Sequence, residues 1–134
     1  MKRILSLIGV VLVVGCGPPP PDGPFERYYD NGQLFERVTY KDGVLDGPFE
    51  RYHDNGQLGS NGTYQNGKWD GPFESYYQNG ELRSKRTYKV QVLDGPYEMY
   101  HDNGQLKSKG TFKDGEKCGE WFELGKTVPH DDPC

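Results

Sequence analysis

Aliphatic mass is what this sequence has least of. Of its 134 residues 33% are hydrophobic and 13% aromatic, while glycine (19) and proline (10) are abundant. A chain poor in aliphatics and aromatics alike stays disordered, because it cannot bury enough apolar surface to offset its ordering entropy. Here the rings recur at fixed positions, which excludes disorder. A thick two-layer core is excluded too, leaving a thin, turn-rich β-structure of one domain. Clustered lysine and arginine are also missing. The formal charge is −4, from 16 basic and 20 acidic residues; without Lys2 and Arg3 it is 14 against 20, or −6. Nucleic acid, whose recognition depends on basic clusters, is therefore excluded as a partner. Adhesion to anionic lipid by charge alone is excluded on the same ground. The sequence has no Gly-rich phosphate loop, nucleophile elbow or CxxC pair, so neither catalysis nor a cofactor is expected.

No apolar run reaches the roughly 20 residues that a membrane-spanning helix needs. The longest, Ile4–Val14, follows the basic Lys2 and Arg3 and fits the apolar region of a cleaved export signal over residues 1–15. It ends in Val13-Val14-Gly15-Cys16, which resembles the lipobox of bacterial lipoproteins. That resemblance implies a signal helix removed before Cys16, a lipid on Cys16, and a cell-envelope location. Gly17, where an aspartate would favour the inner membrane, implies the outer membrane. Pro18–Pro21 then read as an extended polyproline tether, residues 16–21 in all.

From there the chain repeats itself. Asp22–Leu34 (DGPFERYYDNGQL) returns as Asp46–Leu58, Asp70–Leu82 and Asp94–Leu106, a period of 24 residues, with a decayed copy at Cys118–Leu124. A short fixed period denotes an array of one supersecondary unit. Each unit carries two turn signals. Asn-Gly stands at 31–32, 55–56, 79–80 and 103–104; Asp-Gly or Asn-Gly stands at 42–43, 66–67 and 114–115. Such pairs favour type I′ hairpin turns. Val90-Gln91 occupies the corresponding place in the third unit and predicts a less regular connection.

Two-residue loops fix the register. Tyr29 would pair with Leu34, Arg27 with Glu36, Phe25 with Val38 and Tyr40 with Leu45. One face then holds Phe25, Leu34, Val38, Tyr40, Leu45 and Phe49; the other holds Glu26, Tyr28, Arg37, Thr39 and Lys41. The prolines at 24, 48, 72 and 96 cannot donate to a ladder and predict local breaks. Phe49 and Tyr97 are expected to lie over the cross-strand glycines Gly62 and Gly110. The fold class is all-β: an elongated single-layer antiparallel meander of repeated hairpins over residues 22–125, preceded by the signal helix and followed by a polar tail at 126–134.

Units of the form D-G-P-[FY]-x-x-Y-[YH]-x-N-G-x-L followed by G-T-[YF]-x-x-G resemble MORN repeats, and more narrowly the bacterial variant in YwqK-family antitoxins. The resemblance implies a β-hairpin array acting as a binding or scaffolding module. It departs at Val90-Gln91 and at Arg86, where Gly62 and Gly110 hold glycine.

Four groups of residues invite chemistry. The column Glu26, Glu50, Glu74, Glu98 has Arg37, Lys85 and Lys109 opposite three of its members, so ion pairing accounts for it without catalysis. His53 and His101 lie two units apart, too far to share a metal. Cys118 and Cys134 are candidates for a disulfide once Cys16 is lipidated, in an oxidising compartment. The column Tyr28, Tyr52, Tyr76, Tyr100 is the candidate binding surface, since exposed rings suit a protein partner or a sugar face. The alternative is that each ring covers its neighbour across the hairpin: Phe35, Gly59, Arg83 or Lys107. The function expected is a membrane-anchored scaffold for a protein partner. A cell-envelope glycan-binding module and an antitoxin-like inhibitor are the alternatives.

Overall fold

The computed structural model describes residues 18–130 and 132–134; the expected signal helix and Cys16 lie outside the described residues. Twelve strands follow in chain order: β1 (Gly23–Tyr28), β2 (Leu34–Lys41), β3 (Val44–Leu45), β4 (Gly47–Tyr52), β5 (Leu58–Gln65), β6 (Lys68–Trp69), β7 (Gly71–Tyr76), β8 (Leu82–Lys89), β9 (Val92–Tyr100), β10 (Leu106–Lys113), β11 (Glu116–Glu123) and β12 (Lys126–Pro129). They form one open antiparallel meander, with β3 and β6 as short extensions paired to β2 and β5.

The two turn signals fold differently. At Asp42-Gly43, Asn66-Gly67 and Asp114-Gly115 both residues are left-handed, as type I′ requires. Tyr40 then pairs with Leu45 as the arithmetic demands. At Asn31-Gly32 only the glycine is left-handed, at φ 84°. Gly32 N–H donates to the Tyr29 carbonyl at 2.9 Å, closing the turn over Asp30-Asn31. The expected Tyr29–Leu34 pair is therefore corrected: Tyr28 faces Leu34, Arg27 faces Glu36, and the register slips between them. The cause is the asparagine side chain. Asn31 Oδ1 accepts from Gln33 N–H at 2.9 Å, and its Nδ2 donates to Asp54 O in the next turn at 3.3 Å. That local bonding competes with the I′ geometry and wins.

The slip leaves Phe35 as an extra residue in β2, a bulge that turns two successive side chains to one face. Phe35 therefore joins the aromatic face, its ring 5.0 Å from that of Tyr29. Leu34, expected there, goes to the tyrosine face opposite Tyr28. A second slip follows each I′ turn. Tyr40 pairs with Leu45 but Arg37 with Glu50, so two residues are extra around Asp46-Gly47, next to Pro48. This is the ladder break that the prolines predict.

One layer buries little. Val38, Phe49, Cys118 and Trp121 are the buried apolar residues among those described. Trp69 lies 5.0 Å from both the Phe49 and Phe73 rings and stacks on Tyr64 at 3.8 Å. Phe49 and Tyr97 pair with Gly62 and Gly110 as expected, but the side chains nearest these glycines belong to the elements that follow. A Cβ on Gly62 would meet Phe73 at 2.8 Å, and one on Gly110 would meet Trp121 at 2.2 Å. The glycines thus make room for the next unit's ring.

The third unit keeps its I′ turn with the wrong residues: Val90 at φ 47° and Gln91 at φ 74°. A β-branched residue there is an outlier, costing roughly 1–2 kcal/mol. Gln91 has a compensation, since its Oε1 accepts from Trp69 N–H at 3.0 Å. Val90 N–H donates to Asp70 Oδ1 at 3.1 Å, but Asp42, Asn66 and Asp114 make the same bond, so it does not offset the strain of the branched side chain. Val90→Asn is therefore expected to stabilise the protein by about 1 kcal/mol, read as a raised urea midpoint. An unchanged or lowered midpoint would refute the strain.

The tail read as polar contributes a strand. Leu124-Gly125, with φ of 51° and 77°, forms a further turn, and Lys126–Pro129 pair with β11. Beyond it His130 N–H donates to Gly119 O, Gly119 N–H donates to Asp132 O, and Cys134 is disulfide-bonded to Cys118.

Candidate binding faces

The tyrosine face is a grid of three rows at equivalent positions in each unit. Pro24, Pro48, Pro72 and Pro96 face Thr39, Thr63, Thr87 and Thr111. Next come Glu26, Glu74 and Glu98 against Arg37, Lys85 and Lys109, with Glu50 against Asn61 on one side and Arg37 on the other. Then come the tyrosines against Leu34, Leu58, Leu82 and Leu106. The expected neighbours of the tyrosines are thereby corrected. Phe35, Gly59 and Arg83 lie on the other face, against Tyr29, His53 and Tyr77. The bulge after the first turn caused that misplacement. Tyr28 is 58% exposed, and Tyr52, Tyr76 and Tyr100 are half-buried.

Each tyrosine hydroxyl donates to the glutamate two residues before it. Tyr28 bonds Glu26, Tyr52 bonds Glu50 at 2.9 Å, Tyr76 bonds Glu74 at 2.5 Å and Tyr100 bonds Glu98 at 2.6 Å. From the other side Arg37 pairs with Glu26 at 2.8 Å and Glu50 at 3.1 Å, Lys85 with Glu74 at 3.2 Å, and Lys109 with Glu98 at 2.9 Å. These bonds hold the Glu26, Glu74 and Glu98 carboxyls below the usual range, the tyrosine hydrogen bond being the largest cause. The same bond raises Tyr28 and Tyr100 and pushes Tyr76 up to about 12; in Tyr52 burial contributes most to the rise. A carboxylate so engaged is a stabilised anion, unsuited to proton transfer.

The linkage has a definite sign. A raised phenol contributes stability that is present below its unfolded pKa, near 10, and is lost as pH climbs through about 12. The lowered carboxyls contribute stability above the ordinary carboxylate range that is lost on acidification through their folded values. Phenolate absorbance should therefore show Tyr76 titrating late, and Tyr76→Phe should remove a step near 12. A variant whose titration overlays the parent would refute the hydrogen bond.

The turn ends stitch unit to unit. Tyr29 Oη donates to Tyr52 O at 2.7 Å, and Tyr77 Oη donates to Tyr100 O at 2.8 Å. His53 Nε2 fills the same place, 3.0 Å from Tyr76 O; since a carbonyl only accepts, Nε2 carries the proton. Histidine and tyrosine alternate because both offer a ring and a donor. Among the described residues no three His, Cys, Asp or Glu side chains are grouped to hold a metal.

A second constellation was not anticipated. Glu36 is 5% exposed on the aromatic face, between Arg51 at 2.8 Å and Arg27 at 2.5 Å. Both guanidiniums lie over the Phe35 ring, at 5.3 and 5.4 Å. The signal in the sequence was parity: Glu36 shares the period-2 face of Val38, where later units place Ser60, Ser84 and Ser108.

Hairpins of one length, pairing in order and bonded turn to turn, define an open antiparallel repeat array. The family model for the MORN repeat variant matches residues 21–42, 45–66, 69–89 and 93–114, and the chain belongs to that family. No curated protein matches the chain.

Proposed function

We propose that this protein is a lipid-anchored scaffold whose tyrosine face holds a protein partner in the bacterial cell envelope, at the outer membrane. The observation that carries this reading is the repetition of one pattern, tyrosine beside glutamate beside a basic residue, in the first, third and fourth units, with Arg37 of the first unit serving Glu50 of the second. The aromatic rings are held by hydrogen bonds on a sheet locked from unit to unit, so little side-chain entropy remains to be lost on binding. Anchoring rests on the lipobox at Val13–Cys16, with the first unit next to the membrane. Pro19 rests on the Gly43 turn, where a Cβ would come within 2.8 Å of it, so the tether starts along that unit.

Two experiments test the two halves. Cys16→Ala should move the protein from the membrane to the soluble fraction; continued membrane retention would overturn the anchor. Crosslinking in intact cells should capture a discrete protein with the parent and lose it with Tyr52→Ser/Tyr76→Ser. Unchanged protein partners, with glycan fragments enriched by the parent alone, would assign the face to envelope polysaccharide instead. A captured protein that is toxic without this chain would place it among antitoxin-like inhibitors.

A further inference from the structure

A straight row of side chains crosses the aromatic face, each facing the next across a strand pair: Arg27, Glu36, Arg51, Ser60, Ser75, Ser84, Met99, Ser108 and Glu123. Its first third shows how this surface holds a carboxylate. Glu36 is gripped by arginines from the strands on either side. In its middle third the row falls to serines. These serines are small, and over Ser60 and Ser75 the surface sinks into a depression of about 290 Å³. Arginine is present there again. Arg83 and Arg86 line the depression from β8, opposite Arg51.

These two arginines differ from the rest. Arg27, Arg37 and Arg51 each pair with a glutamate, but no carboxylate lies within ion-pair distance of Arg83 or Arg86 among the described residues. Arg86 spends one amino group on Ser84 Oγ at 2.9 Å, and its Nε is buried without a hydrogen-bond partner. Its guanidinium lies 5.5 Å from the Phe73 ring centre, as those of Arg27 and Arg51 lie over Phe35. Ser75 and Ser84 bond each other at 2.7 Å, so the floor is satisfied while Arg86 Nε is not. Buried donors without acceptors are costly, and a charge-assisted partner removes that cost.

The geometry points to this depression, which Tyr52 and Tyr76 also border, as a second binding site for the glutamate or aspartate side chain of an acidic peptide segment. The guest carboxylate takes the place in the third unit that Glu36 takes in the first. Arg83 and Arg86 supply the fork, Ser60 and Ser75 offer hydroxyls, and Phe73 supplies the ring beneath Arg86. Charge complementarity selects the guest, since the surrounding row has arginines and a single neighbouring carboxylate, Glu36, already engaged on both sides.

The test uses the full chain and a fluorescent hexaglutamate peptide, followed by anisotropy, with hexaglutamine as control. Hexaglutamate should bind, more weakly as salt rises, and hexaglutamine should not. Arg83→Gln/Arg86→Gln should weaken binding at least about tenfold, the worth of one charge-assisted contact. Lys68→Gln/Lys89→Gln removes the same charge from exposed strand ends and should change nothing. Ser75→Glu supplies the carboxylate from within, so it should abolish peptide binding and raise the unfolding midpoint, showing that loss of binding is not loss of fold. Failure of hexaglutamate to bind, equal losses in the two charge variants, or undiminished binding by Ser75→Glu would each overturn the site. Displacement of the peptide by equimolar inorganic phosphate would overturn its preference for carboxylate.

Discussion

Trp121→Ala is expected to lower stability by about 3–5 kcal/mol, the range for removing a buried large ring. Few single changes here should approach it, because few side chains are truly enclosed. Trp121 is 1% exposed, with the Phe112 ring at 5.0 Å, the Tyr97 ring at 5.6 Å and Lys117 Nζ at 4.4 Å. Its Nε1 donates to the carbonyls of both Thr111 and Cys118 at 3.2 Å, so the ring also ties β10 to β11. Domains are typically stable by about 5–15 kcal/mol, and this loss would take a large share. Phe25→Ala is the contrast: the same row, but 43% exposed at the open edge, with an expected loss on the order of 1 kcal/mol. Gly110→Ala tests the contact from below. Its Cβ would lie 2.2 Å from the tryptophan ring, and forcing in one methyl should cost about 1–3 kcal/mol. Urea midpoints at unchanged m-values read all three. A Trp121→Ala loss below that of Phe25→Ala would refute the closed end.

Much of this fold was legible because a period of 24 over-determines it. One correct turn, Asp42-Gly43, propagates its register along every unit. The error at Asn31-Gly32 propagated in the same way. Its source is local: a side chain that bonds the next turn has no signature in a single hairpin. The consequence was confined to the turn end, where Leu34 and Phe35 exchanged faces; Phe25 still meets Val38. The Glu column and its ion pairs were readable because cross-strand partners follow from register alone. The arginine pair on β8 was not, since its interest lies in the carboxylate missing beside it. That requires knowing which residues share a face after two slips of register.

Cys134→Ser should cost about 3 kcal/mol, from the 16-residue separation that the bond to Cys118 closes. Reducing agent should produce the same loss in the parent and none in the variant. In an array each unit contacts mainly its neighbours, so the damage should stay local. Hydrogen exchange of β11 and β12 should quicken while β1 and β2 keep their protection. The location matters more than the magnitude. Both β1 and β12 pair on one side only, but at the far end a tail held back against Gly119 continues the pairing of β12 along β11. Exposed strand edges template unwanted pairing, and here the far edge is only the four residues of β12. The staple and the tryptophan also share Cys118, whose carbonyl accepts from Trp121 Nε1, and the His130 ring stands 6.0 Å from the indole. Their losses should therefore couple, with Trp121→Ala/Cys134→Ser falling short of the sum of the single changes. Additive losses would mean that the tail and the ring close the sheet independently, and uniform faster exchange from β1 to β12 would mean that the array unfolds as one unit.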